Sequence, residues 1–466
     1  MIRQTLMAAV VVAALAVPGT ASAVTDVELQ ELREQVRQMR LEYERRIDAL
    51  EQRLKQAEAA TAQPSAGQAE TAASSASARP AGENAFNPAV SLILNGVLAN
   101  LSQDPARHQI SGFTPTGGEV GPGNRGFSLG ETELVFSANI DPNFRGTLIA
   151  ALGSDDSIGV EEGFIESVGL ARGLGIKAGR FLSSVGYLNE THVHAWDFVD
   201  APLANKVFLG KQLKEDGVQL KWVAPSDTFL ELGAEIGRGR SFPGSNRDKN
   251  GVGAGNLFAH LGGDIGASTA WRLGLSHLRT RAQNRNYADS SSLGTEVNNS
   301  FDGSSRLWVL DGVLKWAPKG NPTDTNLKLQ GEYFRRNEDG NLTYDTAAAS
   351  LAGTQNGSLR SAQSGWYAQG VYQFMPMWRA GYRYDRLNSG SVKLGLVDGG
   401  ALGAADFPIY SSYKPTRNTL MLDFNPSEFS RLRLQFASDK SRPGATDKQV
   451  FLQYIMSLGA HGAHKF

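Results

Sequence analysis

His192 and His194 stand two residues apart in a stretch that also carries Glu190, Trp196, Asp197 and Asp200. Residues i and i+2 of an extended segment share one face, and imidazoles with nearby carboxylates are a donor set for Zn²⁺. The whole chain has seven histidines in 466 residues, so two in one stretch make His192 and His194 the candidate metal ligands, with Glu190 or Asp197. The competing reading of the stretch is a constriction lined by polar side chains, with no cofactor. A second chemistry is electrostatic. Glu131, Glu133, Arg145, Lys221, Glu231, Glu235, Arg272, Lys315, Lys328, Glu332, Arg336, Arg379, Arg383, Arg431 and Arg433 all fall on one parity of alternating segments. Charges at that density are intolerable in a packed core and ordinary along a wet channel. Two further motifs carry no chemistry. Gly126-Phe127-Ser128-Leu129-Gly130 matches G-x-S-x-G, but a nucleophile elbow needs a strand, a tight turn and a helix, and here the match opens a strand with no helix after it. Gly251 to Gly255 lacks the surrounding βαβ unit of a phosphate cradle. No catalytic residue, and no enzyme, is expected.

The elements that must position these residues are strands. The C-terminal stretch sets the pattern: Val450, Leu452, Tyr454, Met456 and Leu458 alternate with Gln453 and Ser457, and the chain ends on Phe466. One apolar and one mixed face at period two is a strand. A final strand that pairs with the first removes both sheet edges, which membrane-spanning sheets require. From Asn87 onward about sixteen such segments follow, starting near Pro88, Phe127, Phe144, Ile158, Leu174, Gly217, Thr228, Asn256, Thr269, Arg306, Asn326, Gly365, Trp378, Arg417, Arg431 and Gln449. The register of the fourth and fifth, around Glu161 to Leu170 and Leu174 to Phe181, is ambiguous.

The connections alternate in kind. Short ones built on Pro, Gly, Asn or Asp, such as 141–143, 171–173, 224–227, 375–377 and 425–427, join even strands to odd ones. Most others are long: 102–126, 182–215, 238–255, 279–304, 337–362 and 387–415. Short turns on one rim and long loops on the other are the asymmetry of an outer-membrane barrel. Trp222, Trp271, Trp308, Trp316, Trp366 and Trp378 lie near predicted strand ends on the apolar parity, as aromatic girdles would. The fold class read from the chain is therefore all-β, an antiparallel transmembrane barrel of about sixteen strands over 87–466, wide enough for an aqueous lumen. The stretch 182–215 becomes the third loop.

Residues 1–23 read as a signal peptide, with Arg3, an apolar core from Leu6 to Val17, and Ala21-Ser22-Ala23. Residues 24–60 carry Leu29, Leu32, Val36, Met39, Tyr43, Ile47, Leu50 and Leu54, a heptad-like seam with one stutter, and so a coiled coil that self-associates. Residues 61–86 are a flexible Ala/Ser/Gln/Gly/Pro linker. The chain has no cysteine, which excludes a disulfide framework, and its net charge of −1 argues against a nucleic-acid partner.

Several stretches resemble known families. A strand ending in Phe466 resembles the assembly signal of bacterial outer-membrane proteins, which implies the barrel assembly machinery as a partner. Signal, coiled coil, linker and barrel together resemble trimeric porins of the DcaP-like group. Lys177-Ala178-Gly179-Arg180-Phe181 before the long third loop looks like phosphate-selective (O/P-type) porins. Asn87-Pro88-Ala89, Leu92 to Gly96, Arg125 to Gly130, Gly186 to Glu190 and Ser457 to Phe466 resemble a family often labelled zinc-regulated TonB-dependent outer-membrane receptors.

The expected protein is a Gram-negative outer-membrane channel for small hydrophilic solutes. It is trimeric, surrounded by outer-membrane lipid, with its coiled coil in the periplasm and the third loop (Glu190, His192, His194, Trp196, Asp197, Asp200) as constriction. Lys315, Lys328, Arg336, Arg379, Arg383, Arg431, Arg433, Glu231 and Glu235 are the expected pore lining. A basic wall facing an acidic loop implies a transverse field and a modest anion preference. The alternatives are a TonB-dependent uptake receptor, a hydrolase at Ser128, and a non-conducting structural barrel.

Overall fold

The computed structural model describes residues 89–117, 120–153, 157–245 and 248–459. The expected signal peptide, coiled coil and linker, and also His461, His464 and Phe466, lie outside the described residues.

The strand segments are β1 (Ala89–Leu101), β2 (Gly126–Leu129), β3 (Thr132–Asn139), β4 (Phe144–Leu152), β5 (Ile158–Ser167), β6 (Leu174–Leu182), β7 (Lys214–Val223), β8 (Phe229–Gly237) and β9 (Ala254–Ile265). They continue with β10 (Thr269–Ser290), β11 (Glu296–Trp316), β12 (Asn326–Tyr344), β13 (Gln355–Met375), β14 (Trp378–Leu394), β15 (Thr416–Ser427), β16 (Ser430–Arg442) and β17 (Ala445–Gly459). Both β2 and β3 pair with β1, as two pieces of one stave, so the antiparallel barrel has sixteen staves. It closes where Ser91–Leu101 of β1 pair with Gly459–Gln449 of β17. Neither edge of the sheet is thereby left open, as a bilayer demands.

The alternation read from the chain places apolar side chains outward. Leu273, Leu275, Leu310, Leu329, Leu420, Leu432, Phe436, Leu452 and Tyr454 are exposed. On a water-soluble protein such a belt would be an aggregation surface; on a barrel it is the lipid contact. Trp222, Trp308, Trp316 and Trp366 stand on the same outer face. The short connections expected from Pro, Gly and Asn all fall on one rim, with the start of β1 and the end of β17. At 171–173, Arg172 (φ 62°) and Gly173 (φ 73°) take the left-handed conformation that turns the chain there.

Two expectations need correction. The stretches 279–304 and 337–362 are not loops for most of their length. The β10 and β11 strands run on as a hairpin with its tip at 291–295, and β12 and β13 turn at 345–354. Beyond the bilayer both faces of a strand meet water or folded loops, so the apolar alternation that identifies a membrane strand fades while the ladder continues. Second, the ambiguous register around Glu161 has a local cause. Val160 pairs with Ala150 and Glu162 with Ile149, leaving Glu161 unpaired in a β-bulge. The bulge turns two consecutive residues, Glu161 and Glu162, inward, where both are buried.

The closing register is directly testable, because the chain has no cysteine of its own. Leu98 faces Leu452 across the seam. A Leu98→Cys/Leu452→Cys variant should form an intramolecular disulfide on mild oxidation, seen as a mobility shift reversed by reductant. Leu98→Cys/Met456→Cys, four residues out of register, should not.

Candidate functional site in the barrel lumen

The connection between β6 and β7, residues 183–213, lies inside the barrel. Asn189 closes its neck: Nδ2 donates to the carbonyls of Ser183 (2.8 Å) and Leu213 (3.0 Å), and Oδ1 accepts from the Leu213 amide (2.6 Å). A short buried helix, α1 (Leu203–Leu209), follows Pro202 and stops at Gly210, whose φ of 63° is the left-handed C-terminal cap that glycine takes without strain. Val185, Leu188, Trp196, Leu203, Val207, Phe208 and Leu209 pack on the inward side chains Leu278, Leu307, Val309, Phe334, Tyr367 and Leu387 of β10 to β14. The first long connection folds in over this core: Phe113 meets Phe208 edge-on at 5.8 Å, and Gln363 Nε2 donates to the Gly112 carbonyl at 2.7 Å.

Charged tethers complete the docking. Asp200 accepts from Lys206 Nζ (3.1 Å), Arg383 (3.2 Å) and Gln435 (3.1 Å), and from Arg417. Asp197 accepts from Lys328 at 3.0 Å and Arg379 at 3.4 Å. Glu332 accepts from the amides of Tyr187 and Leu188, the latter at 3.0 Å. Glu235 accepts from Ser183 Oγ (2.5 Å) and the Ser184 amide (2.7 Å). The carbonyl of Trp196 receives Arg431 (3.2 Å) and Arg433 (3.0 Å), and that of Val207 receives Arg336 (3.1 Å). Burial alone would raise the carboxyls of Asp200 and Asp197. The cations beside them, led by Arg417 for Asp200 and by Lys328 for Asp197, overcome it and hold both below the ordinary carboxylate range.

These contacts correct the expected pore lining. All nine residues do point inward. Arg336, Arg383, Arg433 and Glu235, however, are buried under the loop or in ion pairs, with at most 5% exposure. They are anchors rather than a wetted wall, because the loop supplies the carboxylates and carbonyls that satisfy them. Lys328, Arg379, Arg431 and Glu231 keep 24, 18, 23 and 15% of their side-chain surface. Lys315 is half-buried, opposite Lys328 in the register. Arg417, absent from the expected set, is fully buried on Asp200. Its inward parity in β15 was the available signal.

The two histidines come together, with rings stacked at 5.7 Å, but not with the expected carboxylates. Glu190 pairs with Lys221 at 3.3 Å, and Asp197 is taken by Lys328 and Arg379. The acids beside the histidines belong to the wall. Glu162 lies 3.0 Å from His192 Nε2, and Glu133 Oε2 and Glu161 Oε2 lie 3.6 and 3.9 Å from His192 Nδ1. His194 Nδ1 is 2.9 Å from Glu133 Oε1. Burial, with His192 next to it, lowers the His194 pKa to about 3, so the ring beside Glu133 is neutral. Burial also opposes charge on His192, but Glu161, Glu162 and Glu133 outweigh it and favour a cation there.

Open space remains on the other side of the loop. A cavity of about 410 Å³ is lined by Ser91, Glu133, Arg145, Lys177, His192 and Arg272, among others from β1 to β10. A second, of about 520 Å³, lies near the short-turn rim beside His194, Arg379 and Arg431. Ser128 sits within β2 opposite Val97, and the next element is the strand β3 rather than a helix.

No family model matches the chain. A protein of Aquifex aeolicus (strain VF5), described only as uncharacterized, is 31% identical over 420 residues, covering 83% of this chain and 81% of its own length. The chain belongs to the family of that protein. Among solved structures it is similar to the trimer form of OmpT of Vibrio cholerae (10% identity, TM-score 0.49, 80% of this chain and 99% of that one). It is also similar to the channel DcaP of Acinetobacter baumannii (12%, 0.46, 81% and 99%) and to an anion-selective porin from Comamonas acidovorans (11%, 0.44, 80% and 99%). At those values the likenesses carry no conclusion about function. The uptake-receptor alternative finds no support in the barrel: sixteen staves fall short of the roughly twenty-two that surround a plug domain. Among the described residues the lumen is filled by connections of the barrel itself.

Asp200 is the tether with the most cationic partners. Asp200→Asn leaves Arg383, Arg417 and Lys206 facing only Asp385 and Asp439, at a cost on the order of 3 kcal/mol. Trypsin cleavage after Lys206 or Lys211 should become readily detectable in the variant while the barrel stays folded. An unfolded aspartate titrates near about 3.9. Because the folded value is lower, the tether is complete above about pH 4 and is lost as pH falls through the folded value. Amide exchange of residues 197–209 should therefore accelerate only on acidification below that point, and this step should disappear in Asp200→Asn.

Proposed function

We propose that the chain is a passive outer-membrane channel for small hydrophilic solutes, with the third loop as its constriction. The observation that carries the reading is the open space beside residues 183–213, which are anchored around the wall yet do not fill the lumen. The loop's apolar face packs against β10 to β14, and a charged cavity remains between its other face and a wall drawn mainly from β1 and β3 to β7. A loop that served only to seal the barrel would gain from filling that side too. Selection in such a pore comes from width and lining charge. The sequence resemblance to DcaP-like and phosphate-selective porins favours the same class. The seam over 24–60 supports assembly of three copies, with that segment on the periplasmic side.

The cations that retain exposed surface, Lys315, Lys328, Arg379 and Arg431, carry a modest anion preference in this reading, set against Glu190 and Asp197 on the loop. Screening acts over about 8 Å at physiological ionic strength, so a narrow passage keeps much of their field. Planar-bilayer recording of the purified protein tests both parts. Discrete conductance steps are expected, and Lys315→Gln/Arg431→Gln should move the reversal potential in a salt gradient toward cation preference. Arg383→Gln/Arg433→Gln should instead raise current noise or change step size, since those side chains hold the loop. Absence of any conductance from correctly folded protein would overturn the channel reading in favour of a structural barrel.

A further inference from the structure

We propose that Glu133, Glu161 and His192 form a divalent-metal site that clips the third loop to the barrel wall. The three ligand atoms, Glu133 Oε2, Glu161 Oε2 and His192 Nδ1, lie within 4.8 Å of one another, with separations from the imidazole of 3.6 and 3.9 Å. Two ligands about 2.1 Å from a tetrahedral ion stand about 3.4 Å apart, so small side-chain adjustments close the site.

What distinguishes this cluster from a chance gathering of acids is the state of each ligand's other atom. Glu133 Oε1 is hydrogen-bonded with His194 Nδ1 at 2.9 Å, Glu161 Oε1 pairs with Lys214 Nζ at 3.1 Å, and His192 Nε2 faces Glu162 at 3.0 Å. Each remaining atom is thus aimed inward at a common point, the arrangement in which outer partners orient metal ligands. Glu133 is 1% exposed, and neither its Oε2 nor His192 Nδ1 makes a hydrogen bond. A buried carboxylate oxygen left so is costly without a cation beside it.

Charge and backbone point the same way. Glu131, Glu133, Glu161 and Glu162 converge here against two ammoniums, Lys211 on Glu131 at 2.8 Å and Lys214 on Glu161; the next, Lys177, stands by Glu166. Counted as ionised, the four carboxylates exceed the two ammoniums by two negative charges, with Lys177 the next cation to act on Glu162. A proton on His192 offsets one of them and a divalent cation both. Glu161 is also the bulged residue of β5, and an unbroken ladder would turn it to lipid. His192 and Glu133 line the open cavity, which provides an entry path and room for a water as a further ligand. One imidazole with carboxylates suits a first-row ion such as Zn²⁺ rather than Ca²⁺ or Mg²⁺. The inference does not depend on conduction, and a silent barrel could carry the same clip.

The test uses the full chain in detergent, stripped of metal with chelator. Calorimetry with Zn²⁺ should give one site per chain, and Co²⁺ should give the visible absorption of a four-coordinate ion. Glu133→Gln, Glu161→Gln and His192→Ala should each weaken Zn²⁺ binding about ten-fold or more. Asp339→Asn, in an exposed pair with Arg360, should change it less than about two-fold. Zn²⁺ should also slow trypsin cleavage after Lys206 in Asp200→Asn and not in Asp200→Asn/Glu161→Gln. The near-isosteric glutamine variants carry the test if His192→Ala fails to fold. Absence of Zn²⁺ binding, or equal binding by the native chain and Glu161→Gln, would overturn the site.

Discussion

A sheet in lipid has no water to complete its edges, and the rest of this structure depends on that constraint. The eleven-residue ladder between Ser91–Leu101 and Gly459–Gln449 removes both edges at once. Closure then sorts every strand residue into two classes. Those facing out form the apolar belt with its tryptophans; those facing in are removed from lipid and free to be charged. The third loop belongs to the second class. It lies in the lumen because the inner wall is the one protein surface where its own polar groups find partners.

The lumen resolves its charge by neutralisation more than by hydration. Arg336, Arg383, Arg417 and Arg433 are fully buried side chains, a situation tolerable only with full pairing. Their partners are Asp200, Asp423, Asp385 and the loop carbonyls at Trp196 and Val207. The apolar side of the loop adds a core of ordinary composition inside a membrane barrel. Loop and wall are thus one folded body on the β10 to β14 side, while on the β3 to β7 side a cavity remains beside the contacts of His194 with Glu133 and of Glu190 with Lys221.

Much of this was legible in the chain. Strand count, closure, rim asymmetry, the inward parity of the charges and the special standing of 182–215 all follow from period-two alternation and turn chemistry. What escaped has physical reasons. The hairpins of β10 to β13 outside the bilayer lose the apolar face that marks a membrane strand. The burial of Arg383 and Arg433 depends on Asp200 and Asp423, partners that a linear reading has no means of choosing. Glu161 and Glu162 appeared as a break in alternation, and adjacent acids facing one side are what a bulge looks like in sequence. The partners of His192 were misassigned to Glu190 and Asp197 because nearness along a loop says little about which wall the loop touches.

The distribution of the loop's anchors bears on how the protein reaches this state. Glu162, which faces His192, and Glu235 come from β5 and β8, early in the chain, whereas Arg383, Arg417 and Gln435 come from β14, β15 and β16. Residues 183–213 therefore cannot be fully docked while the later staves are missing, and a closed wall would obstruct their entry. The order that satisfies both demands is for the loop to settle against the growing sheet from its concave side, with the last carboxylate–arginine contacts forming as the seam shuts. Loop docking and barrel closure would then be a single cooperative event in biogenesis.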